Sequence, residues 1–205
     1  MLKIVIFPII YFFLHTSPPL IEEKQSENNL TDKTNQPQNN SSAQTIQNNI
    51  DEIFNASLDG DLEKVRSFIE NGFDVNQQNQ DGNSLLMLAG FNGHTEICEY
   101  LIQNGAIVEA RDFNGRTALI FTSTGPFPET VKLLLKHNAN PNSIDKLEHF
   151  SSLMHAAAEG HLEVVKLLLE GGADPSLKDV DGDTAEAFAT QNGHTEVAKL
   201  LREHK

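Results

Sequence analysis

The chain has no tryptophan and a single cysteine, Cys98, among its 205 residues. One cysteine excludes an intrachain disulfide, so no covalent staple holds the fold and the thiol says nothing of redox compartment. Cationic side chains are also scarce. Fifteen Lys and Arg stand against 29 Asp and Glu, a formal net charge of −14. Nucleic acid is therefore a poor partner, because binding it rests on neutralising phosphates with Lys and Arg. An anionic membrane surface is disfavoured for the same reason. This charge would suit a basic protein partner, although a carboxylate-rich surface is also simply a soluble one. Missing too are a metalloprotease helix motif, a nucleophile elbow and a phosphate-cradling glycine loop.

A long apolar run occurs at the start of the chain, where residues 4–14 follow Lys3. The pattern matches the charged and hydrophobic regions of a secretory signal. As a helix this block reaches only about 16 Å against roughly 30 Å of hydrocarbon, too short for an ordinary membrane span. The following Leu14-His15-Thr16-Ser17-Pro18 offers small residues but no Ala-x-Ala, and no cysteine stands nearby to carry a lipoprotein anchor. The expectation is export to a periplasmic or secreted location, with residues 1–17 removed; an uncleaved membrane anchor is the alternative. Residues 18–49 are rich in Asn, Gln, Ser and Thr and have too few large apolar side chains to offset ordering, so they are expected to be a disordered linker. Sequons at Asn29, Asn39, Asn40 and Asn55 matter only on a glycosylating route.

The rest of the chain is periodic. Gly60, Gly93, Gly160 and Gly193 are separated by 33, 67 and 33 residues, and Pro126 falls where the intervening glycine would stand. A second series, Gly72, Gly105, Asn138 and Gly172, runs at 33, 33 and 34. A fixed period of this size means stacked supersecondary units, not one globular core around a cleft. Within each unit two short apolar runs with three- and four-residue offsets predict two helices, each ending at one of the glycine series. Small residues Ala56, Ala89, Ala156 and Ala189 recur on the first helix, where neighbouring units must approach closely. Polar segments with Asp and Gly at fixed offsets join the units, and Ser84, Thr117, Ser151 and Thr184 are placed to cap the next helix.

This grammar resembles the ankyrin repeat: an Asp-x-x-Gly-x-Thr turn, an Ala-rich first helix, a Gly-His link and a Val-Val-x-x-Leu-Leu second helix. The resemblance covers residues 50–205 and implies an all-α repeat solenoid of about five helix-turn-helix units with β-turn fingers. The units fall at about 50–78, 79–111, 112–144, 145–178 and 179–205. It also implies a concave protein-binding face made by finger tips and first helices. Departures from the pattern carry their own expectations. Pro126 cannot adopt the left-handed conformation, so Gly125 is expected to do so, with Pro128 opening the second helix. The fourth unit has one extra residue between Asp145 and Ser151 and no glycine in its turn. Glu186 takes a slot usually filled by core Leu, where it can reach water. The first unit should begin at Asp51 as its cap.

On this reading the chain is a non-catalytic protein–protein interaction module without cofactor or metal, expected to be monomeric. The residues placed to contact a partner are Phe91, Phe113, Arg116, Lys146, Leu147, Glu159 and Val180. Phe113, Leu147 and Val180 sit at turn tips, where nothing in the repeat requires an apolar side chain; scattered surface apolar residues are the bland alternative. Cys98 occupies a core slot and reads as a buried, inert thiol. His94, His161 and His194 share one repeat position and so should be spaced along the stack. Asp179-x-Asp181-Gly182-Asp183 has a calcium-loop flavour, but its glycine is misplaced for an EF-hand. A metal-dependent or other enzyme using scattered His and Asp is the alternative function.

Overall fold

A computed structural model describes residues 39–204, with side chains from residue 47. The expectations for the signal and for most of the linker lie outside the described residues. Among the described residues ten helices follow in five pairs. They are α1 Asn39–Asp59 with α2 Leu62–Glu70, α3 Leu85–Phe91 with α4 Thr95–Gln103, and α5 Ala118–Ser123 with α6 Pro128–Lys136. After these come α7 Ser152–Ala158 with α8 Leu162–Glu170, and α9 Ala185–Gln191 with α10 Thr195–Glu203. First helices pack on first helices and second on second, in chain order. Among the described residues no strand forms. Two isolated antiparallel bridges, Gln78–Ser84 and Ile144–Ser151, close the bases of two fingers.

The first helices after α1 start where a hydroxyl can satisfy an orphan amide. Ser84, Thr117, Ser151 and Thr184 hold extended backbone and accept from the amides of Met87, Ile120, Met154 and Ala187. Each such cap contributes about 1 kcal/mol. In two units the methionine sulfur completes the exchange, accepting from the Ser84 amide at 3.4 Å and the Ser151 amide at 3.5 Å. Ala56, Ala89, Ala156 and Ala189 are all buried where first helices meet. The third unit carries Thr122 in this column, wholly buried, its hydroxyl donating to the Ala118 carbonyl at 2.8 Å. Gly90 lies against that hydroxyl, and a Cβ there would collide with it. The extra bulk of threonine is thus accommodated by a missing side chain next door.

The links into the second helices explain the repeated histidines. His94, His161 and His194 stand at the N-cap without a side-chain capping bond. Their Nε2–H groups donate backwards, to the carbonyls of Leu58 (2.9 Å), Thr124 (3.2 Å) and Ala158 (3.1 Å). Asn92 and Asn192 add a second bond to the Leu58 and Ala158 oxygens, each at 2.7 Å. These carbonyls lie at helix C-termini and lack intrahelical partners, so each unit satisfies the end of the one before it. Phe127 takes the histidine position in the third unit and covers Gly93 and Gly125 with its ring instead. Apolar contact replaces a hydrogen bond at that joint.

Several departures resolve differently from expectation. Gly125 is not left-handed. Pro126 has no N–H and a fixed negative φ, so the chain turns through an i to i+2 bond, Phe127 N–H to Gly125 O at 3.0 Å. Asp51 does not cap the first helix. α1 begins at Asn39, inside the segment expected to be disordered, and Asp51 sits mid-helix accepting from Gln47 Nε2 at 2.8 Å. Neither Pro nor Gly interrupts residues 39–59, and extending an existing helix costs far less than nucleating one. Glu186 does not rely on water alone: Arg202 Nε lies 2.9 Å from its Oε1. Asn138 stands in for glycine as expected, at φ 62°. In the fourth finger His149 takes the left-handed step, at φ 58°, because no glycine is there to do it. The extra residue is gathered by Asp145, whose Oδ1 accepts from the amides of Leu147, Glu148 and His149 at 2.9, 2.8 and 3.1 Å.

Those two irregular segments should be the soft points of the stack, since coupling in such arrays is between nearest neighbours. Hydrogen exchange is expected to show least protection, among the internal units, at residues 124–128 and 145–150. Uniform protection across the internal units would contradict this.

Candidate protein-binding face

The fingers are built by side chains that fold back on their own backbone. Asn79 Oδ1 accepts from the amides of Asp81 and Asn83, Asp112 Oδ1 from that of Arg116, and Asp179 Oδ1 from those of Asp181 and Asp183, all within 2.7–3.0 Å. Successive fingers are then tied to each other. Lys146 N–H donates to Asn114 O at 2.8 Å and Val180 N–H to Glu148 O at 3.1 Å. Gln78 Nε2 reaches Arg111 O at 2.9 Å, and Arg111 Nη1 reaches Ile144 O at 3.3 Å. The outcome is a continuous edge in which neighbouring tips cannot move independently without breaking these bonds.

Along this edge Phe113 is 67 % exposed, Leu147 62 % and Val180 52 %. Phe113 rests over Gly82, and the aliphatic stem of Lys146 over Gly115 in the same manner. Phe113, Lys146, Leu147 and Val180 all lie exposed on three consecutive fingers. Other proposed contacts do not join them. Arg116 is engaged inside the protein: its Nε and Nη2 both lie 2.6 Å from Asp112 Oδ2, and its guanidinium sits 4.5 Å over the Phe121 ring. Phe91 is half-buried, edge-on to Phe121 at 6.3 Å. Glu159 is exposed at the C-cap of α7, a helix length of about 10 Å from the finger base. The sequence reading missed Ile107, which is 57 % exposed at the entrance to the third finger. Its neighbours Ala106 and Val108 are also apolar, so the sequence offered no signal to single it out.

Beneath the fourth and fifth fingers lies an aromatic cluster. The Phe150 ring is 5.1 Å from His155 and 4.8 Å from Phe188. His155 is buried, and neither of its ring nitrogens has a hydrogen-bond partner. Burial pushes its pKa down to about 4; Asp145 opposes that shift and Arg116 adds to it. Cys98 is buried too, and burial pushes its thiol up to about 12, which keeps it protonated and unreactive at neutral pH. Among the described residues no group of three or more His, Cys, Asp or Glu converges as a metal site, and Asp179 Oδ1 is occupied by its own turn.

The decisive comparison is with a family model described as ankyrin repeats (3 copies), which matches residues 53–145 and 124–205. The chain belongs to the ankyrin repeat family. Similar proteins include Ankyrin repeat protein nuc-2 of Neurospora crassa, 33 % identical over 140 residues, which are 68 % of this chain and 13 % of that protein. Putative palmitoyltransferase ZDHHC13 of Danio rerio is 32 % identical over 64 % of this chain and 21 % of its own length. E3 ubiquitin-protein ligase KEG of Arabidopsis thaliana is 30 % identical over 78 % of this chain and 10 % of its own. The chain thus spans only about a tenth to a fifth of the length of these relatives. Ankyrin repeats are protein-interaction modules, and that is the functional class the match carries.

Proposed function

We propose that this chain is a non-catalytic module that seats a partner protein on its row of finger tips. The observation that carries the reading is three large apolar side chains, Phe113, Leu147 and Val180, held in solvent on consecutive fingers bonded backbone to backbone. A monomer leaving such side chains exposed in register loses nothing by covering them with a partner. Arg116 and Phe91 support this face from beneath and are not contacts. The test is capture of partner from the source cells by Phe113→Ala and Leu147→Ala variants, alongside thermal unfolding. Truncating an anchor of this kind costs about 2 kcal/mol, roughly thirtyfold in affinity. Both variants should weaken capture while leaving unfolding nearly unchanged. Loss of stability without loss of capture would place these residues in the packing and end the proposal.

A further inference from the structure

The charges along the finger row are unevenly engaged. Every arginine in it is turned inward: Arg116 to Asp112, and Arg111 to the carbonyls of Gly115 and Ile144 and to Ser143 Oγ at 2.7, 3.3 and 3.0 Å. Lys146 lays its stem over Gly115 and directs Nζ to Phe113 O at 3.4 Å. Asp112, Asp145 and Asp179 are likewise spent inside their own turns. Three other carboxylates behave oppositely: those of Asp81, Glu148 and Asp181 belong to exposed residues and have no hydrogen-bond or ion-pair partner among the described residues. Asp183 is half-buried, with Gln191 Nε2 3.4 Å away. Lys178, exposed at the root of the fifth finger, is outnumbered there by Asp179, Asp181 and Asp183.

The anionic excess coincides with the apolar tips on the last two fingers. Leu147 is followed by Glu148 and Val180 by Asp181, and the bond from Val180 N–H to Glu148 O sets the two pairs side by side. We propose that the occupant of this face is a cationic protein segment in which apolar residues alternate with Lys or Arg, seated on Leu147, Glu148, Val180 and Asp181. The inference rests on the finger-row reading and adds the chemistry of the partner. Its apolar residues cover Leu147 and Val180, and its cations answer carboxylates that have no counter-charge of their own. A second copy of this chain is the wrong occupant, because a net charge of −14 repels itself. Exposed charges of this kind act chiefly on association rate and partner choice, so the interaction weakens steeply with salt.

The probe is a fluorescein-labelled 12-residue peptide of alternating Leu and Lys, titrated into the full chain by anisotropy, with a Leu–Glu peptide as comparison. The Leu–Lys peptide should bind saturably and at least about tenfold more tightly than the Leu–Glu one. Glu148→Gln with Asp181→Asn should weaken it about five- to tenfold and flatten its salt dependence, with thermal unfolding unchanged. The matching double variant on the second helices, Glu99→Gln with Glu170→Gln, should leave binding as it was. Equal binding of both peptides, equal loss from the two double variants, or a dimer abolished by Leu147→Ala would each overturn the inference. If Phe113→Ala and Leu147→Ala fail to weaken capture, the finger-row reading falls. If they succeed and the carboxylate variant does nothing, only the cationic partner falls.

Discussion

Lowering the pH from 7.5 to 5 is expected to remove about 2 kcal/mol of folding stability through His155 alone. The buried ring titrates at about 4, against an ordinary value of 6.5 that applies once the chain unfolds. The unfolded chain therefore takes up the proton first. The contribution of neutral His155 is fully present above pH 6.5, drains away as the pH falls toward 4, and changes no further below that. Phe150 packs against the ring, Asp145 pulls its pKa up and Arg116 pulls it down, so no neighbouring group offers the imidazolium a full shelter. Even the neutral ring is costly, since both nitrogens are buried without partners. In the repeat register this position holds Leu88, Phe121 and Phe188 in the second, third and fifth units and Asn55 in the terminal first unit. His155→Leu should thus raise stability at pH 7.5 and flatten the pH dependence between 7.5 and 5, measured by urea unfolding at a series of pH values. Parallel curves for the two proteins over that interval would show that His155 is not the titrating group.

Arg116→Ala should be among the most damaging single changes on the finger side, lowering stability by about 3 kcal/mol. Asp112 is 2 % exposed and its carboxylate is held by the Arg116 amide on one oxygen and the guanidinium on the other. Removing the arginine leaves that charge buried without its counter-ion and strips the cation from the Phe121 face. Lysine is a poor replacement, because an ammonium reproduces neither the fork nor the stacking. The expected readout is a fall in melting temperature of about 10 °C, with partner capture reduced only as far as the folded fraction falls. A shift worth less than about 1 kcal/mol would mean that water screens Asp112 adequately and the ion pair is incidental.

The period revealed what depends on backbone geometry. Ser84, Thr117, Ser151 and Thr184 could be named as caps because a hydroxyl before an apolar run has one dominant use. Asn138 could be named because few residues other than glycine turn left-handed cheaply. The finger tips were legible for the same reason: once the turn is placed, its outermost residues follow. Side-chain partnerships were harder. Arg116 looked like a contact because the resemblance puts the finger on the binding face, whereas its own partner stands four residues upstream at Asp112. That spacing was visible in the sequence and was the signal to use. The length of α1 was hidden because a helix extended from an existing one needs no periodic apolar stripe of its own. Gly125 escaped the expected left-handed conformation because a tighter turn centred on Pro126 absorbs the proline instead.

The backward-reaching histidines give the stack an order in time as well as in space. At the helix links the donors, His94, His161 and His194, belong to the later unit, and the accepting carbonyls of Leu58, Thr124 and Ala158 to the earlier one. A ribosome delivers the N-terminal units first. Each newly emerged histidine therefore meets an acceptor already in position, and no unit has to wait for a successor to satisfy its own ring. The single break in this succession is Phe127, whose docking onto Gly93 is apolar and carries no such direction.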